Sequence, residues 1–297
     1  MRRIAFALPL ALLAAGHLHA QQPLKVFISV DMEGLAGVVT DQQLGAAGFE
    51  YGRFREFMTA EALAAIEGAR AAGATEIVVA DSHGSMQNLL IERLPADVEL
   101  VRGTDRPLGM MQGIDSTFHA AVFIGYHSAT TNLDGVRAHT ISSARYTSVG
   151  LNGTPVAESG LNAAIAGHYG VPVVAISGDE HAVGELQAMV PGAAGAVVKR
   201  AIGFHSAQTK TPEAAQALIR EAVQEGVSRR SQIRPHRLSP PFRLDLGIKN
   251  YRAVELLAYL PIVERTTAHE IRYQAGSIAD VMRFLTFIGS YSPDVSP

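Results

Sequence analysis

Short apolar runs alternate with helical periods along most of this chain. Leu24-Lys25-Val26-Phe27-Ile28-Ser29-Val30 is rich in apolar and β-branched residues, which predicts a buried strand that ends at Asp31-Met32-Glu33-Gly34. From Tyr51 to Ala72 the residues Phe54, Phe57, Met58, Leu63 and Ile66 recur near helical spacing, and Gly73 stops the pattern. Thr75–Ala80, Ala120–Gly125 and Val171–Ser177 predict further buried strands. They run into Asp81-Ser82-His83-Gly84, Tyr126-His127 and Gly178-Asp179. A helical pattern opens at Glu158 and continues to Tyr169, and an alanine-rich one covers Pro212–Val227.

Strand, polar or glycine-rich tip, then helix is the repeated unit. It predicts an α/β fold with a mostly parallel sheet flanked by helices. Open sheets of this kind gather ligands at the carboxyl ends of their strands, where all of these tips fall. Past Ile233-Arg234-Pro235 and Ser239-Pro240-Pro241, a connecting loop near 233–241 marks a possible subdomain boundary. Beyond it Phe242–Leu246 alternates as a strand. Tyr251–Tyr259, Ile262–Thr266 and Ser277–Ile288 then suggest helix, strand and helix, a smaller C-terminal α/β subdomain. The 47% hydrophobic content is enough to bury a sizeable core.

The start of the chain has a different character. Arg2 and Arg3 precede an apolar run from Ile4 to Ala15, followed by Gly16-His17-Leu18-His19-Ala20. This is the layout of a signal peptide over residues 1–20, cleaved after about Ala20, and the apolar run is too short for a spanning helix of about 20 residues. The catalytic region is then 21–297. There are no cysteines, which suits an oxidising compartment, and the expected location is periplasmic or secreted. Loss of Arg2 and Arg3 changes the charge from 25 − 28 = −3 to 23 − 28 = −5. With no basic run, nucleic acid is not an expected partner, nor is a membrane after signal cleavage.

The tips carry the chemistry. In an extended strand Asp31 and Glu33 project to one face, and two carboxylates there repel unless a cation sits between them. Alone, the pair is either a solvated strand end or a metal site. His83 and His127 each follow an apolar strand, so both should lie at the same sheet edge as Asp31, and imidazole with carboxylate suits zinc. Glu158 reads equally as a first-turn glutamate favoured by the helix dipole. His139, in Arg137-Ala138-His139-Thr140, is by itself an unassigned loop histidine. His119 precedes its strand and belongs at the opposite end. His181 follows Asp179 and is placed no closer than a supporting layer. His168, His205, His236 and His269 have no evident partners.

Taken together, Ser29-Val30-Asp31-Met32-Glu33-Gly34, Asp81-Ser82-His83, Gly125-Tyr126-His127, His139, and Glu158 with Gly160-Leu161-Asn162-Ala163 resemble the DppA-type zinc D-aminopeptidases of bacterial dipeptide operons. Leu44–Gly52 and Ser177-Gly178-Asp179 match as well, and the order is kept over nearly all of residues 21–297. The segment from Ser128 to Ala138 is slightly longer than in that family. The resemblance implies two zinc ions per subunit. Asp31 would be shared between them, Glu33 and His127 would complete one, and His83 and Glu158 the other. It also implies His139 as the catalytic histidine, short peptides with an N-terminal D-amino acid as substrates, and a ring-shaped homo-oligomer. Two alternatives use the same residues: a metallo-phosphoesterase, or a non-enzymatic periplasmic peptide-binding protein. Against the first, there is no glycine-rich phosphate loop, and the segments near the site offer few Arg or Lys residues apart from Arg137 and Arg145.

Overall fold

The computed structural model describes residues 23–291, so the expected leader lies outside the described residues. A parallel sheet forms the larger part. Its strands are β1 (Lys25–Val30), β2 (Glu76–Asp81), β3 (Val98–Val101), β4 (Ala120–Tyr126), β7 (Val173–Asp179), β8 (Ala194–Gly203) and β9 (Ser206–Thr209), in the order β3-β2-β1-β4-β7-β8-β9. Every pairing is parallel except the β8–β9 hairpin at the edge. The central strands β1, β4 and β7 are buried almost end to end, as the continuous apolar runs require of strands covered on both faces.

Helices α1 (Tyr51–Ala71) and α4 (Pro212–Ser228) pack against each other and against this sheet. α1 ends where Gly73 adopts φ +94, and α4 starts at Thr211, whose side chain accepts the Ala214 N–H ahead of a proline in the first turn. Helices α2 (Glu158–His168) and α3 (Glu180–Met189) pack together on the β4–β7–β8 side.

A second, five-stranded sheet is antiparallel throughout. It consists of β5 (Tyr146–Leu151), β6 (Thr154–Pro155), β10 (Phe242–Ile248), β11 (Val263–Arg265) and β12 (Glu270–Ala275), in the order β11-β12-β10-β5-β6. Helices α5 (Tyr251–Leu257) and α6 (Ile278–Ser290) cover it. Two of its strands come from the middle of the chain, so the smaller unit is not assembled from the C-terminal segment alone. Residues 233–241 are the connection that leads back into it. Among the described residues no helix is long and apolar enough to cross a membrane.

Candidate metal centre

β1, β2 and β4 are neighbours, so their carboxyl ends bring residues 31, 83 and 127 to one point. Asp31 and Glu33 do share a direction, but strand alternation is not the reason. β1 stops at Val30, and residues 31–34 form a turn pinned by Asp31 N–H to the Ile124 carbonyl and Gly34 N–H to the Gly125 carbonyl, both at 2.7 Å. Met32 points into the core. Glycine is required at 34: a Cβ there would meet the Tyr126 carbonyl oxygen at 2.0 Å. The Asp-Met-Glu-Gly and Gly-Tyr-His tips are thus one interlocked backbone crossing.

Under this crossing lies a buried hydroxyl network. Tyr126 Oη is 2.7 Å from Ser29 Oγ and accepts from Asn162 Nδ2 at 2.9 Å, while Ser29 Oγ is 2.7 Å from Ser82 Oγ. Ser29, Ser82, Tyr126 and Asn162 precede or follow Asp31, His83, His127 and Glu158 by one to four positions, so one network couples all four ligand-bearing elements.

The histidines are oriented from behind. His83 Nε2 donates to the Leu44 carbonyl at 2.7 Å, which turns Nδ1 toward Glu33 Oε2 at 2.7 Å and Asp31 Oδ1 at 3.4 Å. His127 Nδ1 donates to the Ser128 carbonyl at 3.1 Å, leaving Nε2 at 3.3 Å from both Asp31 Oδ2 and Glu158 Oε2. His139 Nδ1 donates to the Arg137 carbonyl at 2.8 Å, with Nε2 at 3.9 Å from Glu33 and 3.8 Å from Glu158. Its ring stacks on His127 with centroids 4.0 Å apart and planes 9° from parallel. Arg137 and Ile141, two positions to either side, both have left-handed backbone, an uncommon conformation for residues with a Cβ and marked for β-branched Ile. Glu158 opens α2 directly after the β5–β6 hairpin, and its Oε1 accepts the Ile141 N–H at 2.7 Å, so it reaches the centre from the second sheet's side.

All six predicted site residues therefore converge, and all are at least nine-tenths buried except His139, which is half-buried. Their donor atoms form two groups, Asp31–Glu33–His83 and His127–His139–Glu158, each with atoms within 4.8 Å of one another. The short contacts thus put Glu33 beside His83 and Glu158 beside His127, a different division from the one the resemblance implies. Asp31 is shared in both.

Burial opposes charge on Asp31, Glu33, His83, His127 and Glu158. At Glu33 the imidazoles of His83, then His139 and His127, outweigh it and hold the carboxyl well below its usual range. His127 lowers Glu158 in the same way. His83 and His127 are pushed well above the ordinary histidine value by the carboxylates facing them, despite burial. Asp31 is raised, first by burial and then by the Glu33 carboxylate. The centre is a pocket of anions seeking positive charge, in which protons and a metal compete for the same imidazole nitrogens, so metal binding weakens as pH falls. Asp31 Oδ2 is buried and makes no hydrogen bond of acceptable geometry. An orphaned carboxylate oxygen flanked by imidazole nitrogens and two more carboxylates fits a divalent cation with N and O ligands, such as zinc.

A supporting layer was not legible in the sequence. Lys199 on β8 is 1% exposed, and its Nζ donates to the Glu33 carbonyl at 2.5 Å and the Val38 carbonyl at 2.7 Å. Buried Glu61 accepts the Ala36 N–H, and Asp179 accepts the Val136 and Ala182 N–H groups. Together they fix the segments carrying Glu33 and His139. Burial lowers the Lys199 amine to about 8 and raises the Glu61 carboxyl to about 7. The only signal for Lys199 was a charge inside an apolar run. His181 is not part of this layer, since it lies beside Glu180 on α3. His119 sits at the opposite end of β1, accepting the Lys25 N–H. His205 lines a second cavity behind His139.

The centre lies in the wall of a cavity of about 460 Å³ that is also lined by α6 residues Met282, Leu285 and Thr286. That is large enough for a small peptide.

A metal-binding donor set at the carboxyl edge of a parallel sheet, open to a cavity of this size, is the layout of a metal-dependent hydrolase. The comparisons with known proteins narrow it. The chain belongs to the D-aminopeptidase family, whose sequence model matches residues 24–287. It is 36% identical over 256 residues to a D-aminopeptidase of Bacillus subtilis (strain 168), covering 85% of this chain and 92% of that one. It is also similar to a solved structure described as "Zn-dependent D-aminopeptidase DppA from Bacillus subtilis, a self-compartmentalizing protease", with a TM-score of 0.86 at 30% identity over 92% of this chain and 99% of the other.

Proposed function

We propose that this protein is an exported zinc aminopeptidase that removes N-terminal D-amino acids, such as D-Ala, from short peptides. The observation that carries the reading is the convergence of Asp31, Glu33, His83, His127 and Glu158 around an unsatisfied carboxylate oxygen, with His139 at the cavity side. Two zinc ions per subunit are the reading that uses all five ligands, with Asp31 shared. When bound, they would supply Lewis acidity toward the scissile carbonyl and toward water. The residues of the chain do the rest. A free N-terminal amine has a lone pair to offer a metal and an internal amide nitrogen does not, which would account for an exopeptidase. His139, held by the Arg137 carbonyl at Nδ1, presents Nε2 to the cavity, where it stabilises charge on the carbonyl oxygen or passes a proton to the leaving amine. The signal-peptide pattern of residues 1–20 supports a periplasmic or secreted location. The self-compartmentalizing relative supports a ring of subunits.

The test is hydrolysis of paired D- and L-dipeptides with and without a chelator, beside p-nitrophenyl phosphate. Cleavage confined to peptides with a D-residue first, abolished by the chelator and restored by zinc, is the expected result. Preference for L-peptides or for the phosphate ester would overturn it.

A further inference from the structure

One cation in the cavity wall has no anion to answer it. Arg106 is 6% exposed and lines the same cavity as the metal centre. Its Nη2 donates to the Asp81 carbonyl at 2.7 Å and its Nη1 to the Val101 carbonyl at 3.3 Å, while Nε is buried without a partner. Among the described residues no carboxylate oxygen lies within 4.0 Å of the guanidinium. The nearby Asp81 carboxylate is already committed, accepting from Asn88 N–H, Asn88 Nδ2 and Leu89 N–H at 2.5–2.8 Å. Buried guanidinium groups are ordinarily paired, because desolvating an isolated charge is costly. The cost is visible here: burial brings Arg106 down to about 10, with Asp81 and Tyr126 acting in the other direction.

The other arginine on this wall, Arg145, is exposed and has water to solvate it. Arg106 is also held still. Its carbonyl accepts from Thr286 Oγ1 of α6 at 3.2 Å, so it is fixed between the two sheets before any ligand arrives. A pre-positioned guanidinium loses little on capturing a carboxylate. The cavity therefore holds the metal centre and, in the same wall lining, a buried cation that lacks an anion. A short peptide with a free carboxyl end supplies that anion.

We propose that Arg106 binds the free C-terminal carboxylate of the substrate and so selects short peptides with an unblocked carboxyl end. This rests on the aminopeptidase reading above. The competing role for Arg106 is structural, tying the ends of β2 and β3 through its two carbonyl contacts, and the experiment has to tell the two apart.

The comparison is between D-Ala-D-Ala, its C-terminal amide, and D-alanine p-nitroanilide, which has no carboxylate. With the wild-type zinc enzyme the amide is expected to lose about 10-fold or more in kcat/KM, mainly through KM, the scale of a hydrogen bond to a charged group. Arg106→Gln should impose the same loss on D-Ala-D-Ala while leaving the p-nitroanilide within about 2-fold, and Arg106→Lys, which keeps the charge without the fork, should recover part of it. Equal losses on both substrates in Arg106→Gln, or no loss on either, would overturn the assignment in favour of the structural role. If the Gln variant does not fold, the wild-type comparison decides, and equal kcat/KM for acid and amide overturns the proposal. A wild-type enzyme that cleaves none of the three removes the aminopeptidase reading itself, and the role of Arg106 with it.

Discussion

The two sheets divide the work of this molecule. The parallel sheet buries its central strands on both faces and delivers Asp31, His83 and His127 from three adjacent strand ends. The antiparallel sheet is only half-buried, with alternating patterns along β5 and β12, and the segment from α5 to β11 exposes Tyr251, Leu256, Tyr259 and Ile262. It contributes one ligand candidate, Glu158, by way of the β5–β6 hairpin, and lines the cavity with α6. The rigid element holds charges that repel one another, and the less buried element shapes the space before them. Metal retention and turnover should therefore depend mainly on the first sheet, and the shape of the substrate space on the second.

The largest effect is expected at Asp31, which touches both donor groups. Asp31→Asn replaces a shared anion by a neutral amide, so zinc content measured by elemental analysis should fall to background, and activity with it. Retention of full zinc would break the assignment of Asp31 as the shared carboxylate. Next comes His139, stacked on His127 but farther from the carboxylates than the other two histidines. His139→Ala should keep the metal and lower kcat by about 10²-fold or more. Normal turnover in that variant would remove His139 from the chemistry.

Lys199 tests whether the parallel sheet's supporting layer matters as much as its ligands. Lys199→Met removes the donor to the Glu33 and Val38 carbonyls and leaves Glu61 buried beside no cation. Zinc affinity, read by competition with a chelator, should weaken by about 10-fold or more, as is usual when a group orienting a metal ligand is lost, and Tm should fall. Unchanged affinity would confine Lys199 to stability alone.

Legibility followed the same division. Continuous apolar runs ending in Asp, Glu or His marked β1, β2, β4 and β7 and four of the ligands, because a buried parallel strand and its functional tip are local in sequence. The hairpin β5–β6 and strand β12 were missed. Their short, half-polar segments gain stability from a shared partner, β10, which lies about 90 or more positions from β5, as in Leu244 against Leu151, and on the far side of α5 from β12. Strand β8 was hidden by Lys199 and Arg200, and the buried role of Lys199 depends on carbonyls more than 160 residues earlier. His139 was an isolated loop residue until the chain from 127 to 139 doubled back to stack the two rings. Arg106 gave no signal at all, since what sets it apart is the absence of an anion around it in three dimensions.

The smallest expected effect probes the seam between the sheets. Thr286 on α6 donates to the Arg106 carbonyl, a hydrogen bond that links the helix covering the second sheet to the cavity wall beside the metal centre. Thr286→Val keeps the volume and removes the hydroxyl. Losing one ordinary hydrogen bond corresponds to about 2- to 10-fold. That loss should appear in KM for peptides with a free carboxyl end, with kcat and zinc content unchanged. A matching fall in kcat or in bound zinc would mean that α6 reaches the metal centre itself, and that shape and charge are not held by separate halves of the fold.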